Sequence, residues 1–328
     1  MKAWVVRELG KPETLRFEEI AAAEPAGSMV RINLRAASIN YFDALMVAGQ
    51  YQTKPDLPFV PGSEVSGVVV SAPPGTSLKA GDRVMAMLDN GGLTRGGYAE
   101  IADAAPGSVT RMPDGMTFED GAAFTVIYQT GWFGLHRRAC LQPGETLLVH
   151  AGAGGVGSAA IQLGKAAGAT VIATAGSDEK VGVCRELGAD HAINYKTQDF
   201  VEEVKKITGG RGADVVYDPV GGDVFDRSTK CIAFEGRIVV VGFTSGRIPQ
   251  AAANHVLIKN YSVVGLHWGL YAKRAPELLP IATRRLFELY QAGKIKPYIS
   301  ASLPLSEAPQ AMAMVSGGKS TGKVILTV

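Results

Sequence analysis

The chain has 328 residues, 46% of them hydrophobic and 20% charged, enough material for one large or two ordinary cores. Its 33 basic and 31 acidic residues leave a formal charge of +2 with no block of like sign, which speaks against a nucleic-acid partner or an anionic membrane surface and for a small ligand. The amino end, MKAWVVRELG, lacks the continuous apolar run of a signal peptide, and no stretch supplies the ~20 apolar residues of a membrane span, so a cytoplasmic protein is expected.

Residues 1 to about 120 are short apolar runs broken by glycine and proline, such as SMVRINLRAAS, VSGVVVSAPPG and AGDRVMAML. This is the texture of a β-rich domain with few long helices. AAAEPAG near the start and SAPPGTS at 71–77 read as surface turns. From about Ala122 the texture changes. A helix-like stretch, FTVIYQTGWFGLHRRA, leads to TLLVHAG, VGSAAIQLGKAAG, TVIATAG, EKVGVCRELGA, HAINY, FVEEVKKITG, ADVVYDPVG and RIVVVGF. Strand and helix patterns alternate with short connections, which predicts parallel βαβ units in a doubly wound sheet. After His267 come one long amphipathic helix, about Ala275 to Ala292, then ISASLPLSEAPQAMAMVSGG and a closing strand KVILTV.

The sharpest local signal is LLVHAGAGGVGSAAIQLGKAAGA, where Gly152, Gly154 and Gly157 stand in GxGxxG register after a strand pattern and before a helix pattern. Gly152 suits a tight turn, and Gly154 and Gly155 let backbone approach a pyrophosphate. The first helical N–H groups, near Val156 and Gly157, offer it hydrogen bonds. A purely structural glycine turn is the bland alternative, and the strand and helix on either side weigh against it. An NAD site usually places an acid about 20 residues past the first glycine. Ala175 and Gly176 stand there instead, followed by Ser177 and Lys180, a hydroxyl and a cation suited to a 2′-phosphate, so NADPH is expected over NADH. Asp178 and Glu179 read either as first-turn helix residues or as a ribose ligand.

The three cysteines, Cys140, Cys184 and Cys231, are far apart with no CxxC, which argues against a disulfide framework and a cysteine zinc site. The five histidines, His150 and His267 among them, show no metal spacing and read as structural or cleft-lining.

Taken together, RAASINYFDALMVAGQY at 35–51, LPFVPGSEVSGVV at 57–69, KAGDRVMA, GGYAE, the glycine segment, GADHAINY, VVYDPVGG, GRIVVVGF and the closing STGKVIL resemble the medium-chain dehydrogenase/reductase superfamily, in its zinc-free quinone oxidoreductase (zeta-crystallin-like) family. The resemblance covers nearly the whole chain. It implies an α/β protein in which a Rossmann doubly wound parallel sheet domain, residues 122–266, is inserted into a GroES-like β-rich catalytic domain made of residues 1–121 and 267–328. It also implies an active-site cleft at their junction and a homodimer joined near Tyr261 to His267. Zinc alcohol dehydrogenases carry a GHE motif and an upstream ligand cysteine. Here Gly62, Ser63 and Glu64 occupy the first place and Asn40 and Tyr41 the second, so no metal is expected.

The resemblance further implies Asn40 and Thr130 beside the nicotinamide, Gly155 and Val156 under the pyrophosphate, and Ser177, Lys180 and Tyr195 at the adenosine phosphate. Phe243 and the segment Leu266 to Trp268 are expected at the nicotinamide end. Lys319 or Lys323 is expected to reach a phosphate from the tail, a solvated surface charge being the alternative for each. Asn40, Tyr41 and Tyr51 are the catalytic candidates, since a phenol on that loop suits a carbonyl oxygen or a quinone ring, with packing as the other reading. Asp43 suits a turn or hydrogen-bonding role. The expected activity is NADPH-dependent hydride transfer to a quinone or related enone. The alternatives are an enoyl-thioester reductase, with Arg137, Arg138, Arg274, Arg284 and Arg285 as basic groups, and a crystallin-like or RNA-binding protein without turnover.

Overall fold

The computed structural model describes every residue except Ala23, Glu24 and Ala26, so the turn expected over AAAEPAG lies in part outside the described residues. Chain contacts divide the molecule into two units, Met1–Thr125 with Pro297–Val328, and Val126–Lys296.

The first unit opens with β1 (Lys2–Val5) and β2 (Arg16–Glu19), an antiparallel pair, then β3 (Val30–Ile39), α1 (Tyr41–Val47), β4 (Glu64–Ser71), β5 (Arg83–Met87), β6 (Ile101–Ala104), β7 (Val109–Arg111) and α2 (Phe118–Ala122). The turn expected at 71–77 is present, with Gly75 at φ 83° and Thr76 N donating to Pro73 O at 3.4 Å. β3 is ten residues long and mostly buried, and its β-branched and aliphatic side chains, with Val65, Val84 and Leu326, form the core of this unit.

In the second unit follow α3 (Thr125–Trp132), a π-helical turn (Phe133–Arg138), β8 (Thr146–Val149), α4 (Gly155–Ala166), β9 (Thr170–Ala175), α5 (Asp178–Glu186), β10 (His191–Asn194), α6 (Phe200–Ile207), β11 (Ala213–Asp218), α7 (Gly222–Ser228), β12 (Ile232–Val240), α8 (Ala253–Lys259), β13 (Ser262–Gly265), α9 (Tyr271–Arg274) and α10 (Leu278–Gln291). Its six strands are all parallel in the order β10-β9-β8-β11-β12-β13. Counted within the unit this is 3-2-1-4-5-6, the doubly wound order whose direction reverses beside β8 and opens a crevice at the strand carboxyl ends. The central strand TLLV is buried throughout, which is why it reads as a continuous apolar run and not as an alternating one.

The chain then returns to the first unit through β14 (Ile299–Pro304), α11 (Ala308–Ser316) and β15 (Lys323–Thr327). β15 joins the sheet antiparallel to β3, in the order β14-β15-β3-β4-β5-β7, with β14 parallel to β15 and β6 also paired to β3. The return therefore comes near residue 297, a correction to the expected 267. Side-chain hydrogen bonds explain the difference. Trp268 Nε1 donates to Gln129 Oε1 at 2.9 Å, and Gln129 Nε2 donates to Thr283 Oγ1 at 2.9 Å. Gln162 exchanges two bonds with the backbone of Lys296, at 2.7 and 3.0 Å. Among the described residues no helix is long and apolar enough to cross a membrane.

Candidate functional site

In the second unit, β8 runs straight into the glycine turn. The left-handed residue of that turn is Ala151, at φ 50°, and Gly152 serves close packing: a Cβ there would lie 2.9 Å from Ala173 Cβ and from Cys184 Sγ. Gly154 is the N-cap of α4 and provides no side-chain cap, so the amides of Gly155, Val156 and Gly157 stand at a helix start with no capping group. Gly157 rides against the turn so closely that a Cβ would sit 2.2 Å from Ala151 O. A bare, close-fitting helix N-terminus favours an anion.

His150, at the end of β8, is buried between Thr174 Oγ1 (2.9 Å from Nδ1) and Ser228 Oγ (2.8 Å from Nε2). Ser228 spends its proton on Val224 O, so Nε2 of His150 is the donor and Thr174 donates to Nδ1. Burial pushes the imidazole pKa down to about 3, which leaves it a neutral tie between β8, β9 and α7. Cys184 and Cys231 are buried too, their thiols pushed up to about 12.

At the end of β9, Ser177 caps α5 by accepting from Lys180 N at 3.2 Å, which leaves its hydroxyl proton for another acceptor. Tyr195 lies over Gly176, and a Cβ on that glycine would stand 2.5 Å from the phenol oxygen. Gly176, Ser177, the Lys180 backbone and the Tyr195 phenol are therefore brought to one place. Asp178 is held by Asn194, whose Nδ2 donates to Oδ1 at 2.7 Å, as suits a first-turn residue. Further along the sheet, exposed Phe243 rests against Gly221 (a Cβ there would be 2.8 Å from the ring), and Gly221 N and Val220 N both donate to Asp218 Oδ1. Burial raises the Asp218 carboxyl pKa. Thr130 is buried on α3, next to Gln129, which takes the indole N–H of Trp268.

In the first unit, β3 ends at Asn40, whose backbone N–H donates to Asp43 Oδ2 at 2.8 Å and starts α1. Asp43 is buried and also accepts from Tyr98 Oη at 3.1 Å, with Ser63 Oγ 3.2 Å from its other oxygen. Despite these bonds, burial pushes its pKa up to about 6. Tyr41 is exposed. Tyr51 is half-buried and stacked on Phe42 at 5.5 Å, its phenol pKa raised by burial and by the Asp43 charge.

The tail lysines part company. Lys319 is exposed, whereas Lys323 is 3% exposed and cannot reach a phosphate in solvent. Its Nζ donates to Asn40 Oδ1 at 2.7 Å and to Glu64 Oε2 at 3.1 Å, and Asn40 Nδ2 lies 3.4 Å from the same Glu64 oxygen. The sequence contained the signal, Glu64 in GSE and Lys323 in STGK. The pairing of Val324 with Ile39 and Glu64 with Ser38 was needed to see that three strands deliver them to one point. Among the described residues no group of three or more histidine, cysteine or acidic side chains is placed to hold a metal.

Two family models match the chain: the alcohol dehydrogenase GroES-like domain over residues 26–114 and the zinc-binding dehydrogenase model over residues 155–284. A quinone oxidoreductase-like protein 2 homolog of Nematostella vectensis is 42% identical over 99% of this chain and 88% of its own length. Human quinone oxidoreductase is 32% identical over 99% and 97%. Among solved structures, Escherichia coli quinone oxidoreductase complexed with NADPH superposes with a TM-score of 0.91 at 31% identity over the whole of both chains. The CurK enoyl reductase gives 0.87 at 27% identity over 99% and 98%. A doubly wound parallel sheet inserted in sequence between the two segments of a GroES-like domain defines a dehydrogenase/reductase, an oxidoreductase. The chain belongs to the quinone oxidoreductase family of the medium-chain dehydrogenase/reductase superfamily.

Proposed function

We propose that the protein uses NADPH to reduce a quinone or a related conjugated carbonyl by hydride transfer without zinc. The observation that supports this reading is the end of β9, where no acid stands at Ala175 or Gly176, where the Tyr195 phenol lies over Gly176 and where Ser177 caps the helix that carries Lys180. The residues fit the cofactor. The bare start of α4 suits the pyrophosphate at Gly155 and Val156, with Gly152, Gly154 and Gly157 shaping the turn, while Ser177 and Lys180 suit the 2′-phosphate. Thr130, Phe243 and Trp268 serve the nicotinamide end, and Lys319, exposed, serves a phosphate. Bound NADPH supplies the hydride.

Asn40, Tyr41 and Tyr51 of the first unit serve the acceptor. Conjugation delivers the incoming charge to an oxygen, where a hydrogen-bond donor stabilises it. Tyr51, with its raised pKa, stays protonated at neutral pH and can donate. We further propose that the protein works in the cytoplasm as a homodimer.

Likeness to the CurK enoyl reductase favours one second reading, reduction of the carbon–carbon double bond of an enoyl thioester by the same hydride. The test is consumption of NADPH and NADH with quinones, enones, alkenals and enoyl thioesters, with and without a chelator. Chelator-resistant, NADPH-preferring turnover of a quinone or enone is expected, and Lys180→Ala should weaken NADPH at least tenfold more than NADH, roughly one charge-assisted contact. Turnover confined to thioesters would select the second reading. Binding of NADPH with no oxidation by any acceptor would remove both.

A further inference from the structure

Lys323 and Glu64 are 3% and 1% exposed and Asn40 is 6% exposed, so at the meeting of β15, β4 and the end of β3 the two charges are sealed against the Asn40 carboxamide, which keeps a narrow opening. Burying an ammonium and a carboxylate is costly, and an apolar pair of similar volume is often as stable or more so. The pair is therefore a poor device for stability alone. Its geometry does something an apolar pair cannot. A carboxamide can turn end for end, exchanging its oxygen and nitrogen at little steric cost. Here the Asn40 oxygen faces the Lys323 ammonium at 2.7 Å and the nitrogen faces the Glu64 carboxylate at 3.4 Å. The flipped amide would set donor against donor and acceptor against acceptor. Only one orientation is compatible with both charges.

Resting on the reading that Asn40 serves the reacting end of the cofactor and acceptor, we infer that Lys323 and Glu64 are positioning residues that hold the Asn40 carboxamide as a hydrogen-bond donor. Its oxygen is engaged by the ammonium. One N–H leans on the carboxylate, and the second N–H is the capacity left for a ligand. The arrangement supplies the polarity that a developing oxyanion needs, and supplies it before any ligand arrives.

The experiment compares wild type with Lys323→Met/Glu64→Met, in which the charges leave as a pair, and with Lys323→Arg. The double variant should fold with a midpoint equal to or above wild type, bind NADPH with a Kd within about twofold, and lose at least about tenfold in kcat, one hydrogen bond's worth of transition-state stabilisation. Lys323→Arg, which keeps a charged donor, should recover part of the loss. In ¹⁵N-labelled protein without acceptor, the Asn40 side-chain amide protons should exchange with solvent about tenfold more slowly in wild type and Lys323→Arg than in the double variant. A double variant with unchanged kcat and unchanged amide exchange overturns the inference. If wild type neither binds nor oxidises NADPH, the proposed function fails, and the amide exchange still decides whether the pair orders Asn40.

Discussion

Asp43 is sealed in the first unit against one backbone N–H and the Tyr98 phenol, with the Ser63 hydroxyl alongside and the Lys323 charge near enough to favour its ionised form. Burial outweighs all of them and takes its pKa from 3.8 to about 6. The folded protein thus holds this proton to a higher pH than the unfolded chain. The stability it contributes is complete below the unfolded value and drains away as the pH rises from about 4 through about 6, in total about 3 kcal/mol. Asp43→Asn has no proton to lose. Denaturant titrations of both proteins from pH 4 to 7.5 should show the wild-type stability falling relative to the variant by that order over this window. Parallel curves would refute the assignment. His150 works in the opposite direction: its depressed pKa makes stability fall as the pH drops from 6.5 toward 3. It is common to both proteins and cancels in the comparison.

At the scale of elements, the turn between β8 and α4 depends on close approach. Gly157→Ala puts a Cβ 2.2 Å from Ala151 O, which forces the helix start away from the turn. The expected result is a rise in the NADPH Kd of at least tenfold, roughly the loss of one or two phosphate contacts. Gly182→Ala is the control. It stands inside α5 with nothing within 4 Å of the new Cβ, and should leave the Kd unchanged while stabilising the protein by up to about 1 kcal/mol. An equal Kd for both variants would mean that the glycine turn does not bear on the cofactor. The turn was legible because a strand pattern, three spaced glycines and a helix pattern occur in immediate succession, and the alternation after Ala122 likewise announced the parallel sheet. Residues 267–296 were not assigned to their unit, because an amphipathic period shows that one face is buried and not what it is buried against. Lys323 was misread for a related reason. A lysine in a glycine-rich tail looks solvated until the antiparallel register of β15 with β3 sets it beside Asn40.

The whole molecule carries an open edge. Among the described residues β13 ends the parallel sheet, paired to β12 on one side only. Leu266 N donates to Val240 O, so by the alternation of a parallel ladder the amides of Val263 and Gly265 point to the open side. Just before this strand in the chain, α8 exposes Leu257 and Ile258, each 79% accessible, an apolar display that a partner would cover. A second copy related by a twofold axis would cover both features at once, since an isologous contact brings edge to edge and apolar helix to apolar helix. Sedimentation of the wild type at micromolar concentration should give a dimer. Val263→Pro combined with Ile258→Lys deletes an outward N–H without touching the inner ladder and places a charge on the apolar surface. This variant should sediment as a monomer at the same concentration and retain NADPH affinity, because Gly155, Val156, Ser177 and Lys180 all belong to the second unit of a single chain. A dimer that survives both changes would exclude this edge as the interface, and a wild type that sediments as a monomer would leave the open strand protected by its brevity alone.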